Sequence, residues 1–114
     1  MGTTLHAIVE VLQPANAEFQ ISEHWTDVCT WNFGKAYTLM LALREAIYDD
    51  WPPRPSLMAQ DLRHRGHADT GLMWGEPEHM PSPTLDGYQR EYFTALLDTM
   101  AAFKRPVRVL FYQL

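Results

Sequence analysis

The amino-acid sequence predicts an α+β fold, in which a small antiparallel or mixed sheet of three or four strands carries two helices on one face. The first observation behind this prediction is that both ends of the chain alternate in hydropathy, as strands do. The second is that two internal segments carry apolar residues at intervals of three and four, as helices do. A sheet covered by two helices buries both kinds of apolar surface, so the predicted order is β-β-(β)-α-loop-α-β.

The first half of the chain contains two predicted strands and one optional strand. Residues 4–12 and 25–31 have the alternating pattern, and the short segment 19–21 is a further extended stretch. Because alternate side chains of a strand share a face, Trp25 and Trp31 are expected on the same face of the sheet.

The first helix is predicted over residues 34–48, directly after the second strand. Asn32 is the predicted N-cap, because its side-chain oxygen can accept a hydrogen bond from a first-turn amide. Apolar residues then recur at helical spacing as far as Ile47. Pro52 and Pro53 prevent continuation, since proline has no amide hydrogen and restricts the residue before it.

The second helix is predicted to begin at Ser82 and Pro83, a cap followed by a proline in the first helical position. Its apolar stripe is formed by Leu85, Tyr88, Tyr92, Leu96, Met100 and Phe103. Pro106 ends the helix. The last strand is predicted over residues 107–112.

The whole chain, residues 1–114, is predicted to form one domain with a long irregular loop at 51–83. A chain of 114 residues is too short for two cores of useful size. The loop is rich in proline and has no clear periodicity, apart from a short helix around 56–63. Loops of this length in small domains are usually functional or mobile.

Composition and charge argue against several classes of protein. The net charge of -5 disfavours non-specific nucleic acid binding, which needs many lysines and arginines on phosphates. No apolar run approaches the ~20 residues of a membrane span, and the N-terminus lacks the order of a signal peptide. The single Cys29 excludes an internal disulfide framework. We therefore expect a cytoplasmic protein that does not bind membranes.

The segment from Trp31 to Tyr37 is the first candidate binding site. A strand that runs into a helix directs unpaired backbone amides at one point, where an anion binds favourably. Gly34 leaves room for an approaching anion, and Lys35 adds a positive charge. The alternative is an ordinary capped helix start with a solvated lysine. The ligand-binding residues of the first interpretation are Trp31, Asn32, Gly34, Lys35 and Tyr37.

The second candidate binding site is a basic cluster in the long loop. Two arginines and two histidines lie close together there, namely Arg63, His64, Arg65 and His67. Guanidinium groups match the geometry of phosphate and carboxylate. The cluster is therefore predicted to clamp an anion, while Trp74 or Trp31 stacks on a base. The alternative is a solvated loop.

The histidines leave a metal-binding interpretation open. The donors would be His64, His67 and His79, with Asp69 or Glu78 as an oxygen ligand. The H-x-x-H spacing is a weak signal unless a helix or tight turn supplies the geometry. The chain has neither a P-loop nor a G-x-G-x-x-G motif, and the sequence predicts no cofactor.

Several segments of the chain resemble a family of small bacteriophage proteins. The string W-N-F-G-K-A-Y at 31–37 is similar to the W-[ND]-x-G-[RK]-x-Y segment of that family. H-A-I-V-E-V at 6–11, the histidine-to-helix stretch at 79–85 and V-R-V-L-F-Y at 107–112 are similar to three further segments. The middle loop and the family's acidic ending do not match. The resemblance implies a phage origin and no particular reaction.

These features together predict a non-enzymatic binding protein. The leading hypothesis is a phage-encoded antagonist of a host defence system that sequesters a small anionic, nucleotide-like ligand. The second is a protein–protein inhibitor of a host defence enzyme, in which aromatic and Met-rich loop residues act as anchors. Those anchors are Trp51, Met58, Leu72, Met73 and Trp74. A metal-dependent hydrolase is the third.

Self-association is also expected from the sequence. The last strand has apolar residues on both faces, for example Leu110 opposite Val109. Two helices on one face would leave the other face uncovered. A homo-oligomer would supply the missing cover.

Overall fold

The computed structural model describes residues 4–64 and 72–114, which form a four-stranded antiparallel sheet with helices on both faces. The strands are β1 (Leu5–Gln13), β2 (His24–Gly34), β3 (Met73–Gly75) and β4 (Val107–Gln113), in the order β2-β1-β4-β3. The helices are α1 (Tyr37–Ala46), α2 (Leu57–His64) and α3 (Gly87–Ala101), with a 3-10 helix at Pro77–His79. No helix in the described ranges is long and apolar enough to cross a membrane. The predicted α+β class is confirmed.

Helices α1 and α3 pack on one face of the sheet, as predicted. Strand alternation directs Val9 of β1, and Val109 and Phe111 of β4, to that face, where all three are fully buried. The helices contribute Leu39, Met40, Leu43, Phe93, Leu96 and Met100 to the same core. Burial of a large apolar side chain contributes roughly 1.5–3 kcal/mol, so this layer fixes both helices on the sheet.

The opposite face of the sheet is covered by part of the segment that was predicted to be an irregular loop. Helix α2 forms where the sequence predicts a short helix, and Ser56 Oγ accepts a hydrogen bond from the Ala59 amide over 3.0 Å, as an N-cap does. Ala59 and Leu72 pack against Leu110 of β4. The short helix predicted around 56–63 is therefore confirmed as α2, whereas the prediction of an irregular loop over 51–83 is wrong for β3, because β4 pairs with this segment.

This second layer removes the reason for expecting self-association. Leu110 has no exposed surface, and Tyr112 is half-buried beside the same cluster. Ala59 of α2 supplies cover that was expected from another copy of the chain. A homo-oligomer therefore has no support from an uncovered β4.

Helix α1 is shorter than predicted at its C-terminal end. It ends at Ala46, and Ile47 is already extended. Tyr48 and Trp74 then exchange two backbone hydrogen bonds of 2.9 Å. Pairing with the strand edge thus ends the helix before Pro52 does, which is a tertiary effect.

Helix α3 begins later than predicted. Asp86 is at the N-cap position with extended backbone, and Gly87 is the first helical residue. Gly87 has a φ of +55°, a conformation that glycine adopts without steric cost. The predicted start at Ser82 and Pro83 is wrong because residues 80–86 are not helical. The left-handed backbone conformation of Gly87 separates them from the helix.

A β-bulge in β2 reverses the faces of its side chains. The register against β1 shifts in the middle of the strand, between the pairs Val9–Cys29 and Glu10–Asp27. Val28 is the extra residue, and one extra residue moves all following side chains to the other face. Trp25 therefore lies on the face opposite to Trp31, and the prediction that they share a face is wrong.

His6 gives the fold a defined dependence on pH. Its ring stacks on Tyr112 with centroids 5.2 Å apart, and burial lowers the pKa of His6. As the pH falls below the ordinary histidine pKa of about 6.5, the unfolded chain takes up the proton more readily than the folded one. Stability is therefore expected to fall between pH 7.5 and 5.5, and His6→Phe should reduce this slope. Urea denaturation at both pH values measures it, and an unchanged slope would contradict the assignment to His6.

Candidate functional site

A buried charged pair lies in the middle of the sheet, on the face opposite α1 and α3. Glu10 of β1 and Arg108 of β4 are direct neighbours in the register. Their side chains are 0% and 1% exposed, and Arg108 Nε donates to Glu10 Oε1 over 2.9 Å. Charges are held away from water at acceptable cost only when they are paired in this way. The central strands therefore fix a guanidinium group under this face.

Arg108 also holds the chain segment that crosses this face after α1. Its Nη1 donates to the Pro53 carbonyl over 2.7 Å, and its Nη2 donates to the Arg54 carbonyl over 3.2 Å. The guanidinium carbon lies 4.0 Å from the centre of the Trp25 ring, in a cation–π contact. Arg54 has a φ of +49°, which is uncommon for a residue with a side chain. One buried arginine thus positions Trp25 and the 53–54 segment together.

One of the two carboxylate oxygens of Glu10 accepts no hydrogen bond from a described residue. Its Oε2 atom is buried and has no hydrogen-bond partner among residues 4–64 and 72–114. Burial lowers the pKa of Arg108, and the adjacent Glu10 carboxylate opposes that shift. A guanidinium group remains protonated in proteins. Arg108 is therefore a permanent cation at this position.

A cavity of about 210 Å³ lies over Arg108. Its lining residues are Trp25, Pro53, Arg54, Trp74, Glu76 and Arg108. Trp74 comes from β3, and its ring stacks on Tyr48 with centroids 4.6 Å apart and planes 27° from parallel. Aromatic walls with a few fixed polar groups are typical of sites for small organic molecules.

A larger cleft of about 550 Å³ adjoins this cavity and shares Trp25, Arg54 and Glu76 with it. The end of α3 and the start of β4 supply further walls, including Arg105. Arg105 Nη1 donates a hydrogen bond to the Gln13 side chain over 2.6 Å. Because glutamine is neutral, this hydrogen bond does not compensate the positive charge of Arg105. The larger cleft lies within the roughly 300–1,000 Å³ range of ligand pockets.

Two carboxylates, Glu76 and Glu78, lie beside the cleft. A side-chain hydrogen bond in which the Glu76 carboxyl donates to Glu78 raises the pKa of Glu76, and partial burial acts in the same direction. A backbone hydrogen bond lowers the pKa of Glu78, assisted by the contact with Glu76. The two groups titrate as a pair. Their carboxyl oxygens line the cleft.

Asn32 does not cap α1. Its Oδ1 atom accepts a hydrogen bond from the Gly34 amide over 2.9 Å at the end of β2. The helix begins at Tyr37, and the N-cap position is Ala36, which makes no side-chain cap bond. The predicted cap and the predicted start at 34 are wrong because Gly34, with a φ of +66°, turns the chain before the helix begins. One amide predicted to bind an anion is thus bonded within the chain.

Helix α3 covers the carbonyl groups of the same segment. Tyr88 Oη and Gln89 Nε2 each donate to the Phe33 carbonyl over 3.0 Å, and Gln89 Nε2 also donates to the Lys35 carbonyl over 3.3 Å. The Lys35 side chain itself is exposed. None of the cavities described above is lined by a residue of 31–37.

The other sequence-predicted site residues are not brought together. Trp31 lies on the face of α1 and α3, whereas Trp74 lies on the opposite face at the other edge of the sheet. Tyr37 is exposed at the start of α1, and His64 is exposed at the end of α2. Outside the described residues lie Arg65, His67 and the side chain of Arg63. Trp74 is the predicted ligand-binding residue that the structure places at the cavity.

The loop residues considered as anchors for a protein partner are largely used for packing. Leu72 and Met73 are buried, with 4% and 2% of their surface exposed. Trp51 and Trp74 are half-buried against the cluster of Ala59. Met58 is also partly exposed, so the burial of Leu72 and Met73 removes two of the five proposed anchors of a protein–protein inhibitor.

The metal-binding interpretation gains no support from the described part of the chain. Within it, no three histidine, cysteine or carboxylate side chains come close enough to hold a metal ion. His79 instead lies against Tyr48, with ring centroids 5.2 Å apart. His67 and Asp69 lie outside the described residues.

The charged pair under the cavity had a sequence signal, but Trp25 did not. Glu10 and Arg108 each stand between two valines in a strand, as V-E-V and V-R-V. Charged residues are almost never fully buried unless they are paired, so opposite charges in two apolar strands indicate a buried pair. The position of Trp25 depends on the bulge at Val28, which hydropathy alternation does not reveal.

No protein family model, curated protein or solved structure matches this chain. The nature of the ligand must therefore be inferred from the walls of the cavity and cleft. These walls combine two tryptophan rings with arginine and glutamate side chains.

Proposed function

We propose that the protein is a non-enzymatic binding protein for a small anionic ligand with a planar ring, such as a nucleotide. The observation that carries this proposal is that a cavity with two tryptophans, Trp25 and Trp74, opens beside a cleft with two arginines, Arg54 and Arg105. Aromatic side chains stack on the flat face of any nucleotide base. Guanidinium groups bind phosphate through paired hydrogen bonds. The ring and the anionic group of a nucleotide thus each have a matching partner.

The carboxylates define how such a ligand would be oriented. Glu76 lines both the cavity and the cleft, and it would repel a phosphate placed beside it. The same oxygen atoms accept hydrogen bonds from ring N–H and amino groups. The ring is therefore expected near Glu76, and the phosphate is expected near Arg105.

Binding without catalysis is proposed because Arg108, the buried cation under the cavity, is engaged in holding the structure. Arg108 donates hydrogen bonds to Glu10, Pro53 and Arg54. The resemblance to small phage proteins suggests that signalling nucleotides of a bacterial host are the first ligands to test. Sequestration of such a nucleotide would make the protein an antagonist of host defence.

Isothermal titration with a panel of cyclic and linear nucleotides tests the proposal. For a nucleotide that binds, we expect Trp74→Leu to weaken the affinity about tenfold, because one stacking surface is lost. Arg105→Gln is also expected to weaken it, since the phosphate loses a cation. Lys35→Gln is the matched control and is expected to leave the affinity unchanged. Thermal denaturation of each variant shows whether the fold is intact.

Two results would contradict this assignment. If no nucleotide of the panel binds to the wild-type protein, the proposed ligand class is wrong. If Lys35→Gln abolishes binding while Trp74→Leu has no effect, the site is the segment 31–37.

A further inference from the structure

We propose that Glu23 takes the place of the ligand's phosphate in the free protein, and that Arg54 exchanges this internal carboxylate for the phosphate on binding. The inference rests on the proposed function and makes it more specific. It assigns Arg54 as a phosphate-binding residue and Glu23 as an autoinhibitory one.

The contact between these two residues is short and exposed. Arg54 Nη1 donates to Glu23 Oε1 over 2.5 Å, and the two side chains remain 62% and 44% exposed. Exposed ion pairs contribute little to stability and are screened by salt. A phosphate carries more charge than one carboxylate and accepts more hydrogen bonds, so it competes well for the same guanidinium group.

Arg54 lies where several cavities meet. It lines the cavity over Arg108, the larger cleft, and a third hollow of about 440 Å³. Glu23 lines that third hollow, and it also lines a fourth hollow of about 220 Å³ together with Arg105. Glu23 thus borders both arginines of the cleft. Its carboxylate is thus placed to compete with a phosphate for these guanidinium groups.

The two partners differ in how their backbones are held. The carbonyls of Pro53 and Arg54 are bonded to buried Arg108, and prolines on both sides restrict this segment. The Arg54 side chain can therefore change its partner while its backbone stays in place. Glu23 belongs to the connection between β1 and β2, in which every residue from 14 to 23 is exposed. The Glu23 side chain is therefore accessible to solvent beside Arg54.

Titration of the full-length chain with inorganic phosphate tests the exchange. We expect Glu23→Gln to bind phosphate roughly fivefold more tightly than the wild type, because Arg54 no longer has an internal carboxylate. Glu18→Gln removes the same charge from the same exposed connection, and we expect it to change the affinity less than twofold. Adding Arg54→Gln to Glu23→Gln is expected to abolish the gain. The chemical shift of the Arg54 side-chain Nε–H in a ¹⁵N NMR spectrum is expected to change as phosphate binds.

Each other outcome overturns the exchange. Equal gains in Glu23→Gln and Glu18→Gln would show a general effect of net charge. If Glu23→Gln does not bind phosphate, Arg54 is not a phosphate-binding residue. The same conclusion follows if the double variant with Arg54→Gln keeps the increased affinity for phosphate.

The exchange and the proposed function fail in different experiments. If Glu23→Gln binds phosphate through Arg54 while the wild type binds no nucleotide of the panel, the exchange is supported and the nucleotide assignment fails. If a nucleotide binds with the same affinity to wild type and Glu23→Gln, the exchange alone is wrong.

Discussion

Replacement of Arg108 by methionine is expected to lower the free energy of unfolding by about 3–5 kcal/mol. The Glu10 carboxylate would be left buried without its guanidinium partner, and its Oε2 atom already has no partner among the described residues. The carbonyls of Pro53 and Arg54 would each lose a hydrogen bond as well. Small domains are stable by only about 5–15 kcal/mol. The loss is therefore a large fraction of the total, and urea denaturation measures it.

Arg105→Met is the matched control, because it removes the charge of an exposed arginine instead of a buried one. Arg105 is exposed three residues earlier, and its described partner is the Gln13 side chain. Arg105→Met is expected to cost less than about 1 kcal/mol, because exposed polar contacts contribute little. A cost for Arg108→Met that is as small as this would contradict the assignment of a tightly buried pair.

The second control tests whether the lost stability is due to the unpaired Glu10 carboxylate. Glu10→Leu combined with Arg108→Met is expected to recover most of the stability lost in Arg108→Met, because no charge then remains buried. If the double variant is no more stable than the single one, the lost contacts are those to Pro53 and Arg54 instead. The sign of the coupling energy in this double-mutant cycle distinguishes the two cases.

The parts of the fold that depend on local pattern were predictable from sequence. Alternation assigned the faces of β4 correctly, with Val109 and Phe111 in the core of α1 and α3 and Leu110 on the other side. The stripe of α3 likewise predicted the buried Leu96 and Met100. Hydropathy period and side-chain direction are linked by backbone geometry, so these predictions need no tertiary information.

The predictions that failed depend on contacts between distant segments. The end of α1 is set by the pairing of Tyr48 with Trp74, and the cover of Leu110 comes from Ala59. Neither contact has a local signal.

The candidate site was less predictable than the fold for the same reason. Its walls come from β2, the 53–54 segment, β3 and the end of α3, and they meet only after the sheet has formed. Trp74 is predictable from sequence because a tryptophan in a polar, proline-rich segment is a candidate to stack on a base. Trp25 was placed on the wrong face because one bulge residue reverses the pattern.

The second large effect is expected for Gly34→Ala, which should lower the free energy of unfolding by about 2–3 kcal/mol. Gly34 has a φ of +66°, and a Cβ atom there would lie 2.4 Å from Tyr88 Oη. The left-handed conformation costs a residue with a side chain roughly 1–2 kcal/mol. Displacement of Tyr88 also breaks its hydrogen bond to the Phe33 carbonyl, which contributes about 1 kcal/mol.

Gly87→Ala isolates the contribution of Tyr88. Gly87 has a similar φ of +55°, but a Cβ atom there would meet nothing within 4 Å. Its substitution should therefore show only the conformational cost, about 1–2 kcal/mol. Adding Tyr88→Phe to Gly34→Ala removes the clashing oxygen and is expected to restore part of the stability. Equal costs for the two glycine substitutions would show that Tyr88 moves aside freely. In that case the Tyr88 hydrogen bond would not hold the end of β2, and the Gln89 hydrogen bonds to the Phe33 and Lys35 carbonyls would be the contacts that fix it.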